Sequence, residues 1–207
     1  MFSLLMRPMH KPKSNHRTRS GITLLVFINF FLLISCNSGL KADEYRKWVT
    51  NQENGLHCNY QLGDFSFDVQ FKPWEYVWLS QGDNQMNREQ AQRELGGLQY
   101  YSLTISTSQL VDIIKYGATT PEEVQQNLYY YSYLFQYDIS LLDNGKKLPC
   151  VLYHFERSGD LRTSRTIELG FETNGLSKEA IIVIQSQKIS ALPVQIKIKK
   201  ENIPALI

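Results

Sequence analysis

At 207 residues, with 43% hydrophobic and 20% charged side chains, the chain has a globular rather than a disordered composition and room for one ordinary domain plus extras. The formal net charge of +2 is unevenly placed: residues 1–35 hold Arg7, Lys11, Lys13, Arg17 and Arg19 and no acid, which leaves 17 basic against 20 acidic residues in the remainder. A mildly acidic remainder without a dense Lys/Arg stripe lacks the electrostatic footprint of a nucleic-acid binder.

Residues 22–34 read ITLLVFINFFLLI, an apolar run broken only by Asn29. As a helix it spans roughly 20 Å, short of the ~30 Å hydrocarbon core of a bilayer. A basic head, a short apolar middle and a small-residue exit describe a secretory signal rather than a permanent span. The exit, Leu33-Ile34-Ser35-Cys36, resembles the lipobox of bacterial lipoproteins. That resemblance implies diacylglycerol on the Cys36 sulfur, cleavage between Ser35 and Cys36, and acylation of the new amino terminus. Each buried CH₂ contributes about 0.8 kcal/mol, so two or three acyl chains give stable attachment. The expected organisation is a signal peptide over 1–35, a lipidated tether over 36–56 and a single α+β domain over 57–207.

After the cysteine comes a short polar stretch through Glu44, then a brief helix over residues 43–49 with Tyr45 and Trp48 on one side. Asn54-Gly55 marks a turn. Phe65, Phe67, Val69 and Phe71 alternate with Ser66, Asp68 and Gln70, the period-two signature of a half-buried strand. Residues 87–95 read as a helix capped by Asn87 and stopped by Gly96, and residues 98–107 as a strand. Thr120-Pro121-Glu122-Glu123 is a helix start with a capping box and proline at the first helical position.

Residues 133–142 and 147–157 flank Asp143-Asn144-Gly145-Lys146, a hairpin signal. A two-residue loop sets Leu141 opposite Leu148, Ile139 opposite Cys150, Tyr137 opposite Leu152 and Phe135 opposite His154. Val151, Tyr153 and Phe155 make the other face of the second strand apolar too, which predicts a central strand covered on both sides. Residues 165–172, 180–186 and 193–199 supply three more strands, with Asn174-Gly175 turning between the first two. The fold expected is α+β: a predominantly antiparallel sheet of about seven strands with two inserted helices.

Candidate chemistry is sparse. With Cys36 lipidated, Cys58 and Cys150 remain, and export places them where a disulfide can persist. Cys150 also falls on the predicted core face, where a free cysteine serves as a small apolar group. His57 adjoins Cys58, but sequence adjacency is not the spatial pairing nucleophilic catalysis needs. His154 and Glu156 share one side of a strand and could be drawn as an acid/base pair, although no third group or pocket is implied. No zinc spacing, G-x-S-x-G elbow, P-loop or dinucleotide fingerprint occurs, so no cofactor is expected beyond the covalent lipid. Trp74, Tyr76 and Trp78 fall on one face if their segment is extended, a row able to stack on sugar rings or attract cations. If Pro73 instead opens a helix, the row is dispersed around it. The run Tyr129-Tyr130-Tyr131-Ser132-Tyr133 is read as a core edge or a protein-contact patch, and exposed tyrosines favour the patch.

Several phrases resemble a group of uncharacterised lipoproteins from the Bacteroidetes. They are Trp48-Val49 with Glu53-Asn54-Gly55-Leu56, Phe67-x-Val69-x-Phe71-Lys72-Pro73 with Glu75-Tyr76, and Gly97-Leu98-Gln99-Tyr100. Leu148-Pro149-Cys150, His154-Phe155-Glu156-Arg157 and Asn202-Ile203-Pro204 complete the set, which spans nearly the whole chain after Cys36. The resemblance carries no activity and no site residue; it implies a Gram-negative envelope and, with the lipobox, an outer-membrane address whose periplasmic or surface face stays open. The reading is a lipid-anchored, non-enzymatic interaction or assembly component with an envelope protein as partner. Its alternatives are a glycan or small-ligand binder using Trp74, Tyr76 and Trp78, and an enzyme built around His154 and Glu156.

Overall fold

The computed structural model describes residues 39–82, 86–156, 162–172, 175 and 177–207. The signal stretch, Cys36, Arg157 and Asn174 lie outside them. Among the described residues no helix is long and apolar enough to cross a membrane.

The described chain opens by docking against its own end. Leu40 N–H donates to Ala205 O at 2.8 Å and Ile207 N–H to Leu40 O at 3.0 Å, a parallel bridge between the two ends of the described chain. Gly39 permits this approach, because a Cβ there would meet Ile207 Cγ2 at 2.4 Å and Ala205 O at 2.7 Å. Helix α1 (Ala42–Thr50) follows, with Asp43 and Glu44 in its first turn, where they oppose the helix dipole. Its i, i+4 pair Tyr45 and Val49 is buried, as is Leu56 beyond it. Residues 39–56, expected as a tether, are therefore part of the folded domain.

Eight strands make one antiparallel sheet: β1 (His57–Leu62), β2 (Phe65–Lys72), β3 (Leu98–Thr107), β4 (Ile139–Asp143), β5 (Lys146–Phe155), β6 (Ser164–Glu172), β7 (Glu179–Ile184) and β8 (Val194–Lys199). Their order is β1-β2-β3-β6-β5-β4-β7-β8, and β8 returns against β1 and β2, so the sheet nearly closes around a single core. Helices α2 (Trp74–Ser80) and α3 (Arg88–Leu95) join β2 to β3, and α4 (Pro121–Tyr129) lies between β3 and β4. The α+β class with a dominant antiparallel sheet is as expected; the strand absent from the sequence reading is β1. Its apolar positions Cys58, Tyr60 and Leu62 alternate with His57, Asn59 and Gln61, a short and weakly apolar run that pairs with β2.

Strict alternation does place β2, where Phe65, Phe67, Val69 and Phe71 are all buried. Asn87 Oδ1 accepts Gln90 N–H at 2.9 Å, and Thr120 Oγ1 accepts Glu123 N–H at 3.2 Å, so both expected caps form. Asn144 and Gly145 both have positive φ, the type I′ geometry that suits a two-residue hairpin, and Leu141 pairs with Leu148 as expected.

The hairpin stops short of its expected length, because residues 130–138 are coiled. A π-helical turn (Tyr130–Leu134) and a 3₁₀ turn (Phe135–Asp138) continue from α4, so Tyr137 does not face Leu152 and Phe135 does not face His154. In a strand, Tyr131, Tyr133, Phe135 and Tyr137 would share one face. The coil turns only Tyr131 and Phe135 inward, where their rings meet edge-on at 5.3 Å. Nor is β5 covered on both sides. It lies between β4 and β6, but Val151 is 50% exposed at a bulge that shifts the β5–β6 register.

The two ends of this barrel differ. The terminal pole holds both ends of the described chain, α1, α2 and α3. The α4 pole holds α4, the turn at Asp64 and the loops 108–119 and 185–193. That pole is tied together by Tyr116 Oη to Asp64 Oδ2 at 2.6 Å and Asn127 Nδ2 to Ile114 O at 3.1 Å. A buried ion pair sits near each end: Arg165 with Asp112 at the α4 pole, Lys200 with Asp143 at the terminal pole.

Candidate functional site

Three successive turns of coiled chain, the end of α4, the π-helical turn and the 3₁₀ turn, expose one tyrosine each: Tyr129, Tyr133 and Tyr137. Tyr137 is 79% exposed, and the rings of Tyr129 and Tyr133 lie 5.3 Å apart. Tyr131 between them is buried, and Tyr153 Oη donates to its backbone oxygen, fastening the coil to β5. Two open depressions flank the 3₁₀ turn. One of about 430 Å³ is lined by Ser132, Tyr133, Gln136 and His154. The other, of about 280 Å³, is lined by Tyr137, Lys147, Pro149 and Cys150.

Further apolar side chains project from the loops at this pole: Leu110 is 71% exposed and Leu192 76%. Leu110 adopts φ 54°, a conformation disfavoured for a branched residue, while its N–H is held by Thr107 O. Val151 and Leu152 extend the apolar surface along the β5 wall, whereas the terminal pole shows Ile207.

The other sequence candidates do not converge. His154 lines the larger depression, but Glu156 is gripped by Arg162 at 3.0 and 3.2 Å. Across the sheet His154 pairs with Glu168, whose carboxylate takes both bonds from Lys72 Nζ at 2.8 and 2.9 Å. Cys58 and Cys150 are free thiols on β1 and β5, and burial raises both pKa values, that of Cys150 to about 11. A thiol held in the protonated form is a poor nucleophile. His57 Nδ1 stands 3.5 Å from Asp68 Oδ1.

Trp74, Tyr76 and Trp78 all lie on α2, so they do not form an extended row; a residue two positions on is turned about 200° around a helix. Each is half-buried, Tyr76 and Trp78 pack on the core, and Trp78 Nε1 donates to Met86 O at 3.1 Å. No three His, Cys, Asp or Glu side chains among the described residues are grouped to hold a metal.

Lys200 belongs to a cluster that sequence reasoning missed. Its Nζ donates to Gln99 Oε1 at 2.6 Å and faces Asp143 Oδ2 at 3.7 Å. Gln99 Nε2 donates to the same Asp143 oxygen at 2.6 Å, and Tyr101 Oη to Gln99 Oε1 at 3.1 Å. Burial lowers the Lys200 pKa, against the pull of Asp143. These groups are sealed from solvent, which makes them a polar plug rather than a reaction site.

Fold and surface together define an antiparallel α+β barrel domain with the ends of the described chain at one pole and an aromatic, apolar surface at the other. Comparison with protein-family models, curated proteins and solved structures yields no match for the chain.

Proposed function

We propose that the chain is a lipid-anchored component of the bacterial envelope that binds another protein through the exposed tyrosines and the loops of the α4 pole. The observation that carries this reading is the exposed aromatic and apolar surface of the α4 pole. It carries Leu110, Tyr129, Tyr133, Tyr137 and Leu192, and tyrosine enrichment on an exposed apolar surface is typical of protein contacts.

The test is crosslinked recovery from native membranes with wild type, Cys36→Ala and the double variant Tyr133→Ser/Tyr137→Ser. One protein enriched by wild type and lost in both variants supports the reading. A double variant that is folded and recovers the same protein as wild type refutes these tyrosines as the contact. An unchanged recovery with Cys36→Ala refutes the lipid's part in it.

A further inference from the structure

A third cavity, of about 360 Å³, opens at the α4 pole. Three separate segments wall it: the loop around Tyr116, the outer turn of α4, and the loop that brings in Lys188. The buried side chains of Ile113 and Tyr131 form its apolar floor.

Two opposite charges stand on its walls, each held in place by neighbours and not ion-paired to the other. Lys188 Nζ donates to Asn127 Oδ1 at 2.8 Å and lies 5.3 Å from the centre of the Tyr130 ring. Asn127 is itself buried and anchored to Ile114 O, so the cation sits on a fixed support. Among the described residues Lys188 has no ion pair. Also on the wall, Glu123 Oε2 accepts Thr119 N–H at 2.6 Å, Thr119 Oγ1 at 2.9 Å and Thr120 N–H at 3.3 Å. Those bonds hold the Glu123 carboxyl below its usual pKa, with a smaller contribution from Lys188. Its other oxygen, Oε1, accepts no bond from the described residues.

From this geometry we infer that the cavity binds a small zwitterion of the α-amino acid class. Its carboxylate lies on Lys188 Nζ, its ammonium on Glu123 Oε1, and its side chain over Ile113 and Tyr131. The volume lies at the small end of ligand pockets, which suits a ligand of this size. The site is separate from the exposed tyrosines and does not depend on the protein-contact reading.

The test is thermal unfolding of the full-length chain in detergent with each proteinogenic L-amino acid at millimolar concentration, followed by calorimetry on the amino acid giving the largest shift. At least one is expected to raise the melting temperature. Lys188→Met keeps the apolar stem and removes the charge, and Glu123→Gln keeps an oxygen for the helix cap. Each variant is expected to weaken binding at least about tenfold, as is a ligand lacking either its amine or its carboxylate. The Tyr133→Ser/Tyr137→Ser variant should bind as wild type. The inference is overturned if no amino acid shifts the transition, or if the Lys188→Met variant binds as tightly as wild type.

Discussion

Lys200 is the residue with the most to lose from a small change. Its side chain is 0% exposed, and Asp143, its partner, is 5% exposed. Two charges in such a place are tolerable because every neighbour supplies a bond: Gln99 bridges them, Ser177 Oγ donates to Asp143 Oδ1, and the ammonium lies 5.5 Å from the centre of the Phe71 ring. Replacing Lys200 by Met removes the cation and leaves a carboxylate buried without its countercharge. Breaking a buried pair from one side costs about 3–5 kcal/mol. Urea denaturation of Lys200→Met is therefore expected to show a loss of that order. Lys200→Met/Asp143→Asn should recover much of it, because the stranded charge is gone. If the double variant is no more stable than the single one, the loss comes from packing and the charge argument fails.

Among the elements, β5 and β6 are fitted to each other through one glycine. A Cβ on Gly170 would stand 2.8 Å from the Leu152 Cβ, so the strand interior tolerates no side chain there. Gly170→Ala is expected to cost about 1–3 kcal/mol through that overlap. Leu152→Gly removes the Cβ that a side chain at position 170 would meet, so it should relieve part of the Gly170→Ala penalty. Denaturation of the four members of this cycle measures the coupling, and strict additivity would refute the contact. The pair also marks where sequence was silent, for nothing local links Leu152 to Gly170. The elements legible beforehand were those whose signal is local: the alternation of β2 and β8, the Asn-Gly hairpin, and the Asn87 and Thr120 caps. Strand β1 alternates too, Cys58, Tyr60 and Leu62 against His57, Asn59 and Gln61, but the run is short and none of its side chains is fully buried. Residues 133–138 alternate well enough to read as the start of a strand, yet they continue the coil from α4, and Phe135 turns inward onto Tyr131. Of the candidate site, the tyrosine run over 129–133 was legible in the sequence but not which of its members face outward, whereas the Trp74–Tyr76–Trp78 row depended on a strand that α2 replaces. The Lys200 cluster joins partners 44 and 101 residues apart, a separation no spacing rule bridges.

At the scale of the whole molecule, the nearly closed sheet makes one core of side chains contributed from both poles, and buried tyrosines report on it. Tyr45 comes from α1, Tyr101 from β3 and Tyr131 from the turn after α4, and all three are almost wholly shielded. Burial raises each phenol well above its ordinary pKa of 10.0, with Glu75 adding to the effect at Tyr45 and Asp143 at Tyr101. A group whose folded pKa is raised lends its full stability below the unfolded value and loses it as the pH climbs beyond. Above pH 10 the unfolded chain releases these protons while the folded chain retains them. Each phenol then removes about 1.4 kcal/mol per pH unit, and the three together about 4 kcal/mol per unit. Lys200 works in the other direction. Its folded pKa is lowered from 10.5, so its contribution grows as the pH rises toward that value, but it is one group against three. The domain is thus expected to unfold in a single steep transition within one or two pH units above 10. Far-ultraviolet circular dichroism and phenolate absorbance should follow the same curve, since with one core no pole can open its tyrosine alone. If the phenols of Tyr45, Tyr101 and Tyr131 ionise near pH 10 while the dichroism stays native, water already reaches them and the closed core is refuted.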